Sequence, residues 1–246
     1  MRIAIISDIH GNGVALGSVL NDLESEHIDR IISLGDIATD GPQPREVIAQ
    51  LKTLNSSVVM GNMDAWILDP PPRKERIRPI EEIQYWGVSQ LSPDDLDYLR
   101  TFRVTVEMSL DKTTDLLCYH GSPQTNERGI GSTTPDEDLE QMLAGHHATV
   151  LAGGHTHRQM LRRHGDMTIL NPGTVGAPMP QNDREHHPNQ ERHPMWAEYS
   201  IVDSRDNILR IELRRVPIDV NLLVESVLDS GMPHADWWLT LRYGYS

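Results

Sequence analysis

A chain of 246 residues, 38% hydrophobic and 24% charged, is long enough to bury a substantial core as one large domain or at most two small ones. No run approaches the ~20 apolar residues of a membrane span, and a single cysteine, Cys118, excludes a disulfide framework within the chain and fits a reducing cytoplasm. The formal net charge of −14 argues against sequence-independent nucleic-acid binding, which needs Lys and Arg, but not against phosphate chemistry where metal ions invert the local field.

Residues 2–7 form a nearly continuous apolar run, the pattern of a strand buried on both faces. The run stops at Asp8, too short for a signal peptide, so the expected location is the cytoplasm. Val14, Leu16, Val19, Leu20 and Leu23 then recur at helical spacing. A second strand is predicted over 30–34, a second helix over 45–54 and a third strand over 57–60. This βαβαβ order implies a largely parallel sheet with helices on its faces. Pro70-Pro71-Pro72 breaks the chain, and a helix is predicted over 80–91. Ser92 with Pro93 makes a good helix start. Strands are predicted over 105–108, 116–119 and 149–152, with a helix over 135–144 before the last of them. A polar loop at 178–194, a hairpin of 198–202 with 208–216, and a final helix over 220–230 complete the chain. The whole reads as a single domain, 1–246, with irregular segments near 66–100 and 178–196.

Five short motifs follow predicted strands. Asp8 and His10 follow the first, Asp36 the second and Asn62 the third. His120 follows the strand at 116–119, and His155 and His157 follow the strand at 149–152. Ligands of open α/β sheets gather at the carboxyl ends of strands. Seven oxygen and imidazole donors brought to one edge make a metal site, and the absence of sulfur suits Mn, Fe, Zn, Co or Ni rather than a Cys-type structural zinc. Seven are too many for one tetrahedral ion and about right for two ions sharing a carboxylate, the arrangement that clamps both oxygens of a phosphoryl displacement.

The set Asp8-x-His10, Gly35-Asp36, Gly61-Asn62-x-Asp64, His120 and Gly154-His155-Thr156-His157 resembles the calcineurin-like metallophosphoesterases over nearly the whole chain. Asn171-Pro172-Gly173-Thr174-Val175-Gly176, Gly41-Pro42-x-Pro44, His120-Gly121-Ser122-Pro123 and Arg215-Val216-Pro217 are similar to the YfcE-type phosphodiesterase branch. The resemblance implies a four-layer α/β/β/α sandwich of two mainly mixed β-sheets flanked by helices. It implies one divalent transition-metal ion on Asp8, His10, Asp36 and His157, a second on Asp36, Asn62, His120 and His155, and attack on the phosphate by a hydroxide bridging the two. Asp36, His10, Asn62 and His120 form the expected catalytic set, and Asn12 is expected to approach a substrate phosphate from the start of the first helix. The expected activity is hydrolysis of small phosphate esters, diesters preferred. Alternatives are a phosphomonoesterase (a protein Ser/Thr phosphatase or a dinucleotide polyphosphate hydrolase) or a non-catalytic scaffold of the same fold, as in a eukaryotic retromer subunit. The complete ligand set favours an enzyme.

Two positions depart from the family pattern. Met63 stands where many phosphomonoesterases carry a His that protonates the leaving group, and Pro178-Met179-Pro180 stands where a Pro-Arg often supplies a phosphate-facing cation. Other residues read as structural. His186, His187 and His193 belong to a solvated loop, Cys118 to packing in a strand, His146-His147 to a helix end, and Trp237-Trp238 to docking of the tail or an oligomer contact. A homo-oligomer stays open, while no membrane or stable nucleic-acid partner is expected.

Overall fold

The computed structural model describes residues 1–54, 56–179, 181–182, 191–192, 195–205 and 208–245. The first half alternates as expected: β1 (Arg2–Ile6), α1 (Gly13–Leu23), β2 (Arg30–Ser33), α2 (Pro44–Thr53) and β3 (Ser57–Val58). These three strands lie side by side and parallel. Three helices follow, α3 (Asn62–Leu68), α4 (Pro79–Gln90) and α5 (Pro93–Leu99), so much of the stretch near 66–100 is helical rather than irregular. The Ser92 hydroxyl caps α5 by accepting from the Asp95 amide, a contact commonly worth about 1 kcal/mol.

The second sheet begins with β4 (Val106–Ser109) and β5 (Asp115–Cys118), then α6 (Asp136–Leu143) and β6 (Val150–Ala152). Two strands not anticipated from the sequence follow, β7 (Met160–His164) and β8 (Met167–Asn171). They form a hairpin closed by Gly165-Asp166, with Gly165 at φ +60° in the left-handed region that tight two-residue turns require. β9 (Gln181–Asn182) and β10 (Glu191–Arg192) pair with each other. His186, His187 and His193 lie outside the described residues. β11 (Trp196–Arg205) and β12 (Ile208–Pro217) make the expected hairpin, longer at both ends. α7 (Val220–Asp229) is followed by one more helix, α8 (Ala235–Tyr243).

The strand orders are β12-β11-β1-β2-β3 and β4-β5-β6-β8-β7, two five-stranded mixed sheets. Side-chain alternation assembles the layers. Ile3 and Ile5 of β1 enter the core between the sheets, where Ile32, Leu116, Cys118, Val150 and Leu170 meet them. Ala4 and Ile6 point the other way, toward α1, α2 and the C-terminal helices. Leu117, Leu151 and Ile169 of the second sheet likewise face Leu139 and Leu143 of α6. The result is helices, sheet, sheet, helix, the four-layer sandwich. Burying each of these Ile and Leu side chains contributes about 1.5–3 kcal/mol. Among the described residues no helix is long and apolar enough to cross a membrane.

Candidate active site

The turns after β1, β2, β3, β5 and β6 meet along one edge of the two sheets. Asp8, His10, Asp36, His155 and His157 have φ of +54°, +48°, +55°, +67° and +56°. A non-glycine residue in that region costs about 1–3 kcal/mol and persists only when its surroundings hold it. Those surroundings are visible. The Asp8 amide donates to Gly35 O at 3.0 Å, His10 to Asp36 O at 2.9 Å and Gly11 to Ile37 O at 2.7 Å, zipping the first two turns together. The 171–176 segment straps them from the second sheet. Val175 N donates to Ser7 O at 2.9 Å, Thr174 Oγ1 to Asp8 O at 2.8 Å, and Asn171 Nδ2 to Gly154 O at 2.7 Å. At Gly61 a Cβ would lie 2.1 Å from Asp36 Oδ1, so only glycine lets the third turn approach.

The side chains these turns deliver face one another through oxygen and imidazole nitrogen atoms. His120 donates Nδ1–H to Leu34 O at 2.7 Å, which turns Nε2 toward Asn62 Oδ1 at 2.9 Å and Asp36 Oδ2 at 3.4 Å. His157 donates Nδ1–H to Ala177 O at 2.8 Å, leaving Nε2 toward His10 Nε2 at 3.2 Å and Asp8 Oδ1 at 3.3 Å. His155 Nδ1 completes the group, 2.9 Å from Asn62 Oδ1 and 3.3 Å from His120 Nε2. Fixing the far ring nitrogen on a carbonyl is how proteins present the near one to a metal. Asp8 Oδ2 is used by Ser7 Oγ at 2.6 Å and by the His155 amide at 3.1 Å, while buried Oδ1 has no hydrogen-bond partner. Asp36 divides in the same way: Oδ1 accepts from the Met63 amide at 2.8 Å, and Oδ2 lies 3.4 Å from His120 Nε2 and 3.8 Å from His10 Nε2. Two sets of donor atoms each fall within 4.8 Å of one another, Asp8 with His10 and His157, and Asp8 with Asp36 and His120.

Burial raises the Asp8 carboxyl, but the imidazoles of His157, His120 and His10 hold it below the ordinary carboxylate range. Burial lowers His120, yet Asp36 and Asp8 push it up to about 10. His157 is raised by Asp8 against the opposing effect of burial, while burial dominates at His10 and lowers it. The pocket thus demands positive charge, and no Lys or Arg pairs with Asp8 or Asp36 among the described residues. A proton or a metal cation meets that demand.

Several residues differ from expectation or were not anticipated. Asn12 is fully buried and its carboxamide is committed. Oδ1 caps α1 by accepting from Ala15 N at 3.0 Å, and Nδ2 donates to Gly176 O at 3.1 Å and Tyr243 Oη at 2.9 Å. In this structure Asn12 ties α1 to the strap and to α8, and no atom of its carboxamide is left free to approach a phosphate. Asp64 is buried with its oxygens on the amides of Asp36, Gly61 and Ile37 at 2.8, 3.0 and 2.9 Å. Burial and neighbouring Asp36 push it up to about 7 against those amides, and it shapes the Asp36 turn from behind the pocket. Asp40, not singled out in the sequence, places Oδ2 3.4 Å from His10 Nδ1. Its only sequence signal is an Asp-Gly-Pro turn shortly after the second strand. Cys118 sits in the core between the sheets, and burial pushes its thiol up, away from a reactive thiolate. Cys118→Ala is expected to keep turnover within about twofold and to cost about 1 kcal/mol of stability, the scale of a small core deletion, read by assay and denaturant melting.

Residues 1–187 match the family described as Calcineurin-like phosphoesterase superfamily domain. The uncharacterized protein MJ0912 of Methanocaldococcus jannaschii is 26% identical over 98% of this chain and 96% of its own length. A metallophosphoesterase from Sphaerobacter thermophilus superposes with a TM-score of 0.75 at 26% identity, covering 98% of this chain and 97% of that one. The hypothetical protein PH1004 from Pyrococcus horikoshii OT3 shares the fold, with a TM-score of 0.80 at 20% identity over 100% and 99% of the two chains. With the family matched along three quarters of the sequence, on the stretch that carries all five of these turns, the chain belongs to the calcineurin-like phosphoesterase superfamily.

Proposed function

We propose that the chain is a dinuclear metal-dependent phosphoesterase that hydrolyses small phosphate esters, diesters preferred. The observation that carries this reading is the convergence of oxygen and imidazole-nitrogen atoms with no Lys or Arg among them: His120 Nε2, His155 Nδ1 and Asn62 Oδ1 on one side, His10 Nε2, His157 Nε2 and Asp8 Oδ1 on the other. Asp36 Oδ2 lies between the two sides, which supports its role as the shared ligand. In this reading Asp8, His10, Asp36 and His157 hold one ion, and Asp36, Asn62, His120 and His155 the other. The donor set of imidazole nitrogen and oxygen fits Mn, Fe, Zn, Co or Ni. Two such ions, when bound, supply an activated water and Lewis-acid polarisation of the phosphoryl oxygens.

The protein's own contribution is positional. Carbonyls of Leu34 and Ala177 fix the tautomers of His120 and His157, and the Met63 amide with the Asp64 carboxylate fixes Asp36. All seven ligands are present, which favours an enzyme over a scaffold. The thioether at position 63 cannot protonate a leaving alkoxide, which disfavours a monoesterase that depends on an imidazole there.

The test is a panel of phosphate mono- and diesters assayed with each of the five metals. Chelation is expected to abolish hydrolysis, and added metal to restore it. Because the folded pocket binds metal and the unfolded chain does so weakly, metal at one hundred times its Kd should stabilise folding by about 2.7 kcal/mol, visible as a rise of several degrees in thermal midpoint. A protein that takes up none of the five metals and melts unchanged in their presence contradicts the proposal.

A further inference from the structure

Helix α8 carries a charged residue that no motif announces. The Trp238 indole donates to Asp40 O at 2.5 Å, and the Tyr243 hydroxyl accepts from Asn12 Nδ2 at 2.9 Å and donates to Gly176 O at 3.4 Å. Asn12 is two residues from His10, and Gly176 precedes Ala177, whose carbonyl holds His157. Arg242 precedes Tyr243 in the last turn of α8, so its backbone lies beside the 10–12 and 176–177 turns that Tyr243 docks against. Its charge acts on His157, and that of Asp40 acts on it. The Arg242 Nε is sheltered and has no acceptor. Its terminal nitrogens make no hydrogen bond or ion pair to the protein and keep access to solvent. Arg2, Arg162 and Arg214 are also half-buried but each makes an ion pair, whereas Arg242 makes none among the described residues. The nearby Asp40 carboxylate makes no direct ion pair with the guanidinium, so a bound anion would supply acceptors that the protein does not. The planar fork of Arg matches two phosphate oxygens at once.

We propose that Arg242 binds the non-bridging oxygens of the substrate phosphate, entering the site from the C-terminal helix in place of the cation that the Pro178-Met179-Pro180 segment does not supply. The assignment rests on the phosphoesterase reading above. It explains why Asn12 and Tyr243 spend their polar groups on docking α8: they position Arg242, the residue before Tyr243. The ligand class is a phosphate monoanion or dianion, contacted on the side of His10 and His157.

Inorganic phosphate is the probe, titrated calorimetrically into the full-length Mn²⁺-loaded protein and into its Arg242→Gln, Arg242→Lys and Arg158→Gln variants. Arg158 is the exposed cation next to His157 and serves as the rival. Arg242→Gln is expected to weaken phosphate about tenfold or more, the scale of a lost charge-assisted contact. Arg242→Lys should fall between it and wild type, with metal content unchanged in both. Arg158→Gln should bind as wild type does. Where the Gln variant does not fold, the Lys variant still reads loss of the fork. Wild-type affinity in Arg242→Gln and Arg242→Lys, or weakening only in Arg158→Gln, overturns the assignment and leaves the phosphoesterase reading standing. A wild type that binds metal but no phosphate also overturns the assignment, while the ester panel above decides the phosphoesterase reading separately.

Discussion

Asp36→Asn is expected to lower metal content from two ions per chain to one or fewer and to cut turnover on the order of 10³-fold. The size follows from the position of one carboxylate oxygen, Oδ2, 3.4 Å from His120 Nε2 and 3.8 Å from His10 Nε2. One substitution removes a negative charge from both halves of the site at once, where loss of a single electrostatic stabiliser already costs about 10²–10³ in rate. The fold should survive, because an amide oxygen at Oδ1 still accepts from the Met63 N–H and Asp64 still holds the Asp36 amide. Elemental analysis after saturation with Mn or Zn reads the first quantity, and hydrolysis of an aryl phosphodiester the second. A variant that retains two ions and activity within tenfold of wild type rules out Asp36 as the shared ligand.

The second large effect concerns the leaving group. Met63 lies in the first turn of α3, beside Asn62 and Asp36, and offers no proton. Asp64 cannot substitute for it, since both of its oxygens are occupied by backbone amides away from the pocket. Hydrolysis is therefore expected to slow steeply as leaving-group pKa rises, by about 10²–10⁴ between nitrophenyl and alkyl esters, the usual worth of general-acid catalysis. Met63→His should flatten the dependence, accelerating alkyl esters far more than aryl ones. Single-turnover rates across a graded series of esters measure it. Similar chemical-step rates for alkyl and nitrophenyl esters in the wild type would show that another residue supplies the proton.

The elements that carry the candidate ligands were legible because their signals are local. The apolar run before Asp8, the helical spacing from Val14 to Leu23 and the capping residues Ser92 and Pro93 each act within a few positions. The β7–β8 hairpin escaped because Leu161, Arg162, Arg163 and His164 line an exposed edge strand with little apolar alternation. Helix α8 escaped because Trp237 and Leu241 are exposed while Trp238, Leu239 and Tyr243 are buried, which blurs its apolar stripe.

By itself the amino-acid sequence determined the kinds of donor available, their order along the chain, and that each follows a strand in a glycine-containing turn. Donor chemistry and turn geometry are properties of short segments, and parallel strands send their carboxyl ends to one edge. Only the tertiary structure decided what those donors are free to do. The tautomer of His120 is set by Leu34, 86 positions away, and that of His157 by Ala177 in the strap from the second sheet. Asn12, suited by sequence to greet a phosphate, instead donates to Tyr243, 231 positions later. A side chain's hydrogen-bond capacity is finite, and buried groups must spend it on whatever the fold brings near. Which partner arrives first is a matter of packing across distant segments, to which local pattern is blind.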